Sequence, residues 1–416
     1  MGVFAAIGLW AIYTRLNLGM KVTNLTNVSW GLWVVFYIYF IGLSAGSFLL
    51  STMVYVFNMH HLEKMGRIAL VSALIALFAG LGFVWLDLGH PWRFWKLFSS
   101  WHHTSVLAWE CLAYLFYIVI IVSELYYLMR NDLAIVKANS TGIKKMFVSL
   151  VSFGWKIPET EEGKLYADNK GKKRIKFLGI IGIPTALVVH GGTGSIFGVV
   201  AAKAWWFSGL FPIIFLVSAL VSGCGLMLFL YSVWGKRDSD YQNLLNGLKS
   251  YLVMFIGIDI ILFLADVLVG FYGNIPDHIG VFHEVMFGKY ALLFWGGQIF
   301  AAWILPIILT STSNKPSVLA AAGFFVFIGI ICVRYLLVIP AYIEPHLPGL
   351  DNSFVAESRL AYSYSPSSIE WLSSIGLFCL MALVLGWVWK MLPMYSLTEE
   401  KQENKVNIGV TATQTA

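Results

Sequence analysis

Nine stretches of this chain, at about 30–57, 65–88, 105–129, 177–201, 208–234, 247–272, 285–309, 316–341 and 370–393, are apolar for the length that a helix needs to traverse a bilayer's hydrocarbon. Residues 1–14 form a tenth, shorter run. It has neither the basic start nor the A-x-A site of a signal peptide, and reads as a first helix that is short or truncated. The predicted fold is therefore an all-α polytopic membrane protein of about ten transmembrane helices. Charge agrees with this: 12% of the residues are charged and 58% are hydrophobic, with a mean hydropathy of +0.75. Soluble domains carry about 25% charge. Too few polar groups remain to cover a globular surface, which excludes a cytosolic enzyme, a secreted disulfide scaffold and a disordered protein.

Cys111, Cys224, Cys332 and Cys379 each fall in a different apolar run, and no CxxC, CxxCH or Cys/His spacing occurs. The chain is thus expected to hold no metal, no iron–sulfur cluster and no covalent haem. Lys and Arg set the orientation, because basic connections stay in the cytoplasm. With ten helices, 20 of them lie on the side of the termini, 7 lie opposite, and Arg334 is inside a span. This predicts an N-in, C-in arrangement. The connection 130–176 holds 11 Lys and Arg against 5 Asp and Glu, so the formal charge of +6 resides there and the rest of the chain is neutral. Such a charge reads as topology, with contact to anionic lipid, and not as a nucleic-acid surface.

Ionisable groups inside spans are costly and usually functional. Asp87 ends helix three on the outer side, Glu110 lies early in helix four, and Asp266 and Arg334 lie toward the outer ends of helices seven and nine. His190 and Asp259 stand near mid-membrane, and Glu124 near the inner end of helix four. Arg334 and Asp266 could simply pair to hold two helices together. His190 could be satisfied by a hydrogen bond, or could relay protons, for which an imidazole is suited. His90 and many tryptophans, among them Trp33 and Trp109, also gather on the outer side. An interfacial belt explains most of the tryptophans. Aromatic walls with a carboxylate and an imidazole are also what a quinol site needs, a stacking surface plus acceptors for two phenolic protons. Only His190 of the nine histidines lies well inside a span, which argues against a transmembrane haem pair.

Small-residue stretches recur in helix two (GLSAGSFLLS) and helix six (SALVSGCGLM), 41 and 43 residues before Asp87 and Asp266. An offset of four helices makes the repeat parallel and predicts two four-helix bundles, 30–201 and 208–341. The short helix 1–14, the last helix 370–393 and a cytoplasmic tail 394–416 would flank them.

The run WGLWVVFYIYFIGLSAGSFLL from Trp30, YVFN at Tyr55 and LDLGHPWRFWKLF from Leu86 resemble the NrfD/PsrC family of polysulfide-reductase-type membrane subunits. PTALVVHGGTGSIFG from Pro184, FPIIFLVSALVSG from Phe211, VRYLLVIPAY around Arg334 and YSPSSIEWLSSIG from Tyr364 look like its ten-helix, HybB-like branch. The resemblance covers roughly residues 1–395. It implies a haem-free subunit in the bacterial cytoplasmic membrane. Such a subunit exchanges electrons between the quinone pool, menaquinone or ubiquinone, and a ferredoxin-like iron–sulfur partner. That partner serves a periplasmic catalytic subunit: a molybdopterin enzyme, a hydrogenase or a multihaem cytochrome. The resemblance makes Asp87 the leading quinone-site residue and matches His190, Asp266 and Arg334 to positions linked to proton conduction. Combined with the residue reading, it places the quinone between helices two to five against Trp33, Tyr37 and Trp109. Asp87, with His90 or Glu110, would handle its protons, and His190, Asp259, Asp266, Arg334 and Glu124 would transfer them across. The rival reading is a secondary transporter with mid-membrane acids, which should show an inverted repeat and broken helices.

Overall fold

In the computed structural model, residues 1–56, 59–203, 205–343, 349, 352 and 361–397 are described. Phe57 and Asn58 of the YVFN stretch, and the tail beyond 397, lie outside them. Ten helices are long and apolar enough to cross a membrane, and the described residues contain no strand, so the chain is a multi-pass membrane protein. They are α1 (Gly2–Leu18), α2 (Leu32–Val56), α3 (Gly66–Asp87), α4 (Val106–Ala138) and α5 (Glu161–Gly198). After these come α6 (Phe211–Trp234), α7 (Tyr241–Tyr272), α8 (Leu293–Thr312), α9 (Pro316–Val338) and α10 (Ser368–Met391). The end of the bundle that carries residues 130–176 is called the basic end below, and the opposite one the far end.

Several helices outrun their apolar stretches. Much of the basic connection is helical: α4 continues to Ala138, an amphipathic helix spans Gly142–Val151, and α5 starts at Glu161 behind the N-cap Thr160, whose side chain accepts from the Gly163 amide. Lys, Glu and Ala are strong helix formers, so hydropathy falls at the membrane edge while the helix persists into water. In the same way α1 passes the end of its apolar run and carries Arg15 in its last turn. Before α8, the residues Pro276–Met286 form a separate short helix. α8 then opens as a π-helix over Leu293–Ile304, the wider winding often found at functional sites.

α2 lies at the centre, packed on α3, α5, α6 and α9, and its spanning segment is buried throughout. A helix apolar on all sides suits lipid as well as a core, and here the small residues of α2 let neighbouring helices close around it. Its closest approach is to α6, where a β-carbon on Gly46 would fall 1.9 Å from the Ala219 carbonyl oxygen, and one on Gly223 would strike the Gly46 backbone. The two small-residue stretches singled out in the sequence thus meet each other. Gly46→Leu is therefore expected to abolish the monodisperse folded species in size-exclusion chromatography, since neither backbone can give way. A second glycine contact, Gly8 on Gly376, joins α1 to α10. At the basic end Arg67 pairs with the buried Asp132 at 2.6 Å, fastening α3 to the extension of α4.

Candidate functional site

The far end of α3 places Asp87 among groups from three other helices. Arg15 of α1 is buried and donates from Nε to the Leu86 carbonyl (3.1 Å) and from Nη2 to the Leu88 carbonyl (2.7 Å). Its guanidinium lies 5.6 Å from the Trp33 ring centre and is attracted by the charge of Asp87. Glu370 of α10 is close enough to repel Asp87. Glu370 is held by the Tyr364 hydroxyl (2.5 Å) and by the Ser367 amide (2.8 Å) of a capping box. Trp33 is itself buried and donates from Nε1 to Ser373 Oγ at 2.9 Å. Oδ1 of Asp87 is buried and has no hydrogen-bond partner among the described residues.

One turn along α2, Tyr37 starts a second cluster. Its hydroxyl shares a 2.8 Å hydrogen bond with that of Tyr114, which donates to Glu110 Oε1 at 2.7 Å. Thr193 Oγ1 of α5 donates to the same oxygen. Glu110 is fully buried, and its Oε2 has no partner among the described residues. Between the helix ends that carry Asp87 and Glu110 opens a crevice of about 380 Å³ running from Leu88 to Ala108, lined also by His90, Arg93, Lys96 and Ser105.

A turn below Thr193 stands His190, fully buried, with neither ring nitrogen hydrogen-bonded among the described residues. Gly42 of α2 leaves room for it: a β-carbon there would lie 3.3 Å from His190 Cε1 and 3.5 Å from Arg334 Nη2. Arg334 donates to Ser218 Oγ (3.0 Å), lies 4.7 Å from the Phe215 ring centre, and is attracted by Asp259. Asp259 Oδ2 accepts from Trp303 Nε1 in the π-wound part of α8 at 3.0 Å. Toward the basic end, Tyr117 bonds with Ser44, and Glu124 is buried with both oxygens unpartnered among the described residues. Glu110, Tyr114, Tyr117 and Glu124 form one buried stripe down α4, about 21 Å long at 1.5 Å per residue.

Three expected residues stand apart. Trp109 is 53% exposed, donates to the His103 carbonyl (2.8 Å) and packs edge-on against Trp101, so it does not join Trp33 and Tyr37. His90 is exposed on the crevice rim rather than beside Asp87. Asp266 does not serve Arg334: its Oδ1 accepts from Ser208 Oγ at 2.6 Å, and its charge acts on His278. Burial of the His278 ring lowers its pKa, against the pull of Asp266. An imidazole held below its ordinary value stays neutral in the fold while the unfolded chain takes up the proton, so acid favours unfolding. Between pH 8 and pH 5 the loss of thermal stability should be smaller in His278→Gln than in the parent. The sequence alone does not point to Arg15, Tyr114, Thr193, Ser218, Trp303, Tyr364 or Glu370. Only the Ser367/Glu370 capping-box spacing is visible there.

A family model described as "Polysulphide reductase, NrfD" matches residues 21–346. The chain belongs to the NrfD family. Over 96% of its length, and 94% of the relative's, it is 48% identical to a selenate reductase subunit of Mesobacillus selenatarsenatis. It is 28% identical to the Hdr-like menaquinol oxidoreductase integral membrane subunit of Archaeoglobus fulgidus, covering 92% of this chain and 89% of that one. It is 23% identical to the menaquinone reductase integral membrane subunit of Nitratidesulfovibrio vulgaris, covering 94% and 90%. Set against the NrfD match, Asp87, Glu110, His190, Asp259 and Arg334 fall inside the family segment, whereas Arg15, Tyr364 and Glu370 fall outside it.

Proposed function

We propose that this NrfD-family chain is the quinone-reactive membrane subunit of a respiratory oxidoreductase, with its basic end in the cytoplasm of a bacterial cell. The observation that carries the reading is the crevice between Asp87 and Glu110. Its volume lies within the range of about 300–1,000 Å³ typical of small-molecule sites. Asp87 and Glu110 stand just behind its lining residues Leu88 and Ala108, and each has one buried carboxylate oxygen without a hydrogen-bond partner among the described residues. A side-chain rotation of Asp87 or Glu110 toward the crevice would present that free oxygen to a quinol headgroup as an acceptor for a phenolic proton as it is oxidised. The relatives named for menaquinol and menaquinone support a menaquinone-type substrate.

The chain's own residues bind, orient and deprotonate. Arg15 holds the end of α3 that carries Asp87, while Tyr114 and Thr193 fix Glu110. Electrons pass to an iron–sulfur partner docked at the far end, which feeds a catalytic subunit; quinone reduction is the same path reversed. Protons received by Glu110 can continue along Tyr114 and Tyr37 or toward Thr193 and His190. Arg334, Asp259 and Glu124 offer further stations, and Asp266 belongs to a separate group near His278. Family membership favours this role over secondary transport, which rests on the ten helices, the weak repeat and the mid-membrane acids.

The test is photolabelling in native membranes with an azidoquinone. Label recovered in the peptide 88–110 supports the site, and label confined to peptides of α6–α9 overturns it.

A further inference from the structure

At the basic end, two apolar recesses meet at Trp387 of α10. One is a cavity of about 840 Å³ between α2, α3, α6, α9 and α10, reaching from Lys390 and Trp389 inward to Phe40, Phe327 and Phe378 near mid-membrane. The other is an open groove of about 890 Å³ along the amphipathic helix Gly142–Val151, with Lys145 in its wall. Phe147 packs edge-on against Trp387 at 4.7 Å and bridges the two. Ile143, Met146 and Leu150 of the same helix are exposed at i, i+3 and i+7, the face that such a helix sinks into the acyl boundary of a bilayer. Ser72 lines the cavity, and its Oγ is buried without a hydrogen-bond partner among the described residues. Unfilled, the cavity would forfeit the dispersion contacts of its aromatic walls.

We propose that these recesses form a site for one anionic phospholipid of the leaflet at the basic end, with an acyl chain in the cavity and the headgroup over the groove. Charge complementarity selects this occupant. Lys145 stands in the groove, within the connection 130–176 whose charges sum to +6, and Lys390 stands at the cavity mouth on the same end of the molecule. Neither recess has an acid in its lining to repel a phosphate. The site is separate from the far-end crevice and does not depend on the quinone reading.

Native mass spectrometry of the full-length chain in mild detergent, titrated with phosphatidylglycerol or phosphatidylcholine, tests the assignment. One phosphatidylglycerol should be retained. Its preference over phosphatidylcholine should fall about fivefold for each of Lys145→Gln and Lys390→Gln. Gly386 lines the cavity, and a β-carbon there meets nothing within 4 Å, so Gly386→Phe should fill the space and expel the lipid. Equal retention of the two lipids by the parent, or retention unchanged in Gly386→Phe, overturns the proposal. So does recovery of a quinone, in place of phospholipid, that Gly386→Phe displaces. If Gly386→Phe does not fold, the two lysine variants decide alone.

Discussion

Asp87→Asn is expected to slow quinol-dependent reduction of the partner by about 10²–10⁴-fold, the contribution typical of a positioned general base. The substitution keeps the size of the side chain and removes only its capacity to accept a proton. The fold should survive, because Arg15 holds the end of α3 through the carbonyls of Leu86 and Leu88 and not through a hydrogen bond to Asp87. A loss of activity with unchanged amounts of chain in the membrane then assigns the effect to chemistry. Initial rates with a soluble menaquinol analogue, normalised to the amount of chain on immunoblots, measure it. A rate equal to that of the parent would remove Asp87 from the mechanism.

The second large effect concerns stability. Arg334→Met should cost about 1–3 kcal/mol, because it removes the cation whose charge attracts the buried Asp259 and leaves Ser218 Oγ without its donor. Met fills most of the same volume, so the cost is electrostatic and should be recovered largely by adding Asp259→Asn. Thermal unfolding of the two single variants and the double variant gives the coupling directly. If the double variant is as unstable as Arg334→Met alone, the guanidinium is held for its hydrogen bond to Ser218 and its packing on Phe215 instead.

Charged residues inside apolar runs are conspicuous, so Asp87, Glu110, His190, Asp259 and Arg334 stand out as candidates in the sequence itself. Their partners are not. Asp259 and Asp266 are seven residues apart, two helical turns, and so project from nearly the same face of α7. Helical periodicity cannot tell which one meets Arg334, and only the depth difference of about 10.5 Å decides it. Trp109 and Glu110 are the converse case. Neighbours on a helix point about 100° apart, so a buried Glu110 turns Trp109 outward, and this much the sequence does contain. Arg15 reads as a loop cation because the apolar run stops before the helix does. The basic stretch 130–176 reads as a connection for the same reason. Hydropathy marks where lipid ends, whereas helix propensity sets where the helix ends.

The contact of Gly8 with Gly376 brings the first and last membrane helices side by side, and the surroundings of Asp87 draw on both. Helices are synthesised and inserted in chain order. Arg15 and Asp87 can therefore associate early, while Glu370 and Tyr364 arrive only with the last helix, some 280 residues after Asp87. Throughout that interval the carboxylate is answered by a single cation on a helix that packs mainly against a neighbour not yet made. The surroundings of Asp87 are thus among the last parts of the molecule to mature, and a ribosome that stops before α10 releases a nearly complete bundle in which Asp87 still lacks Glu370 and Tyr364.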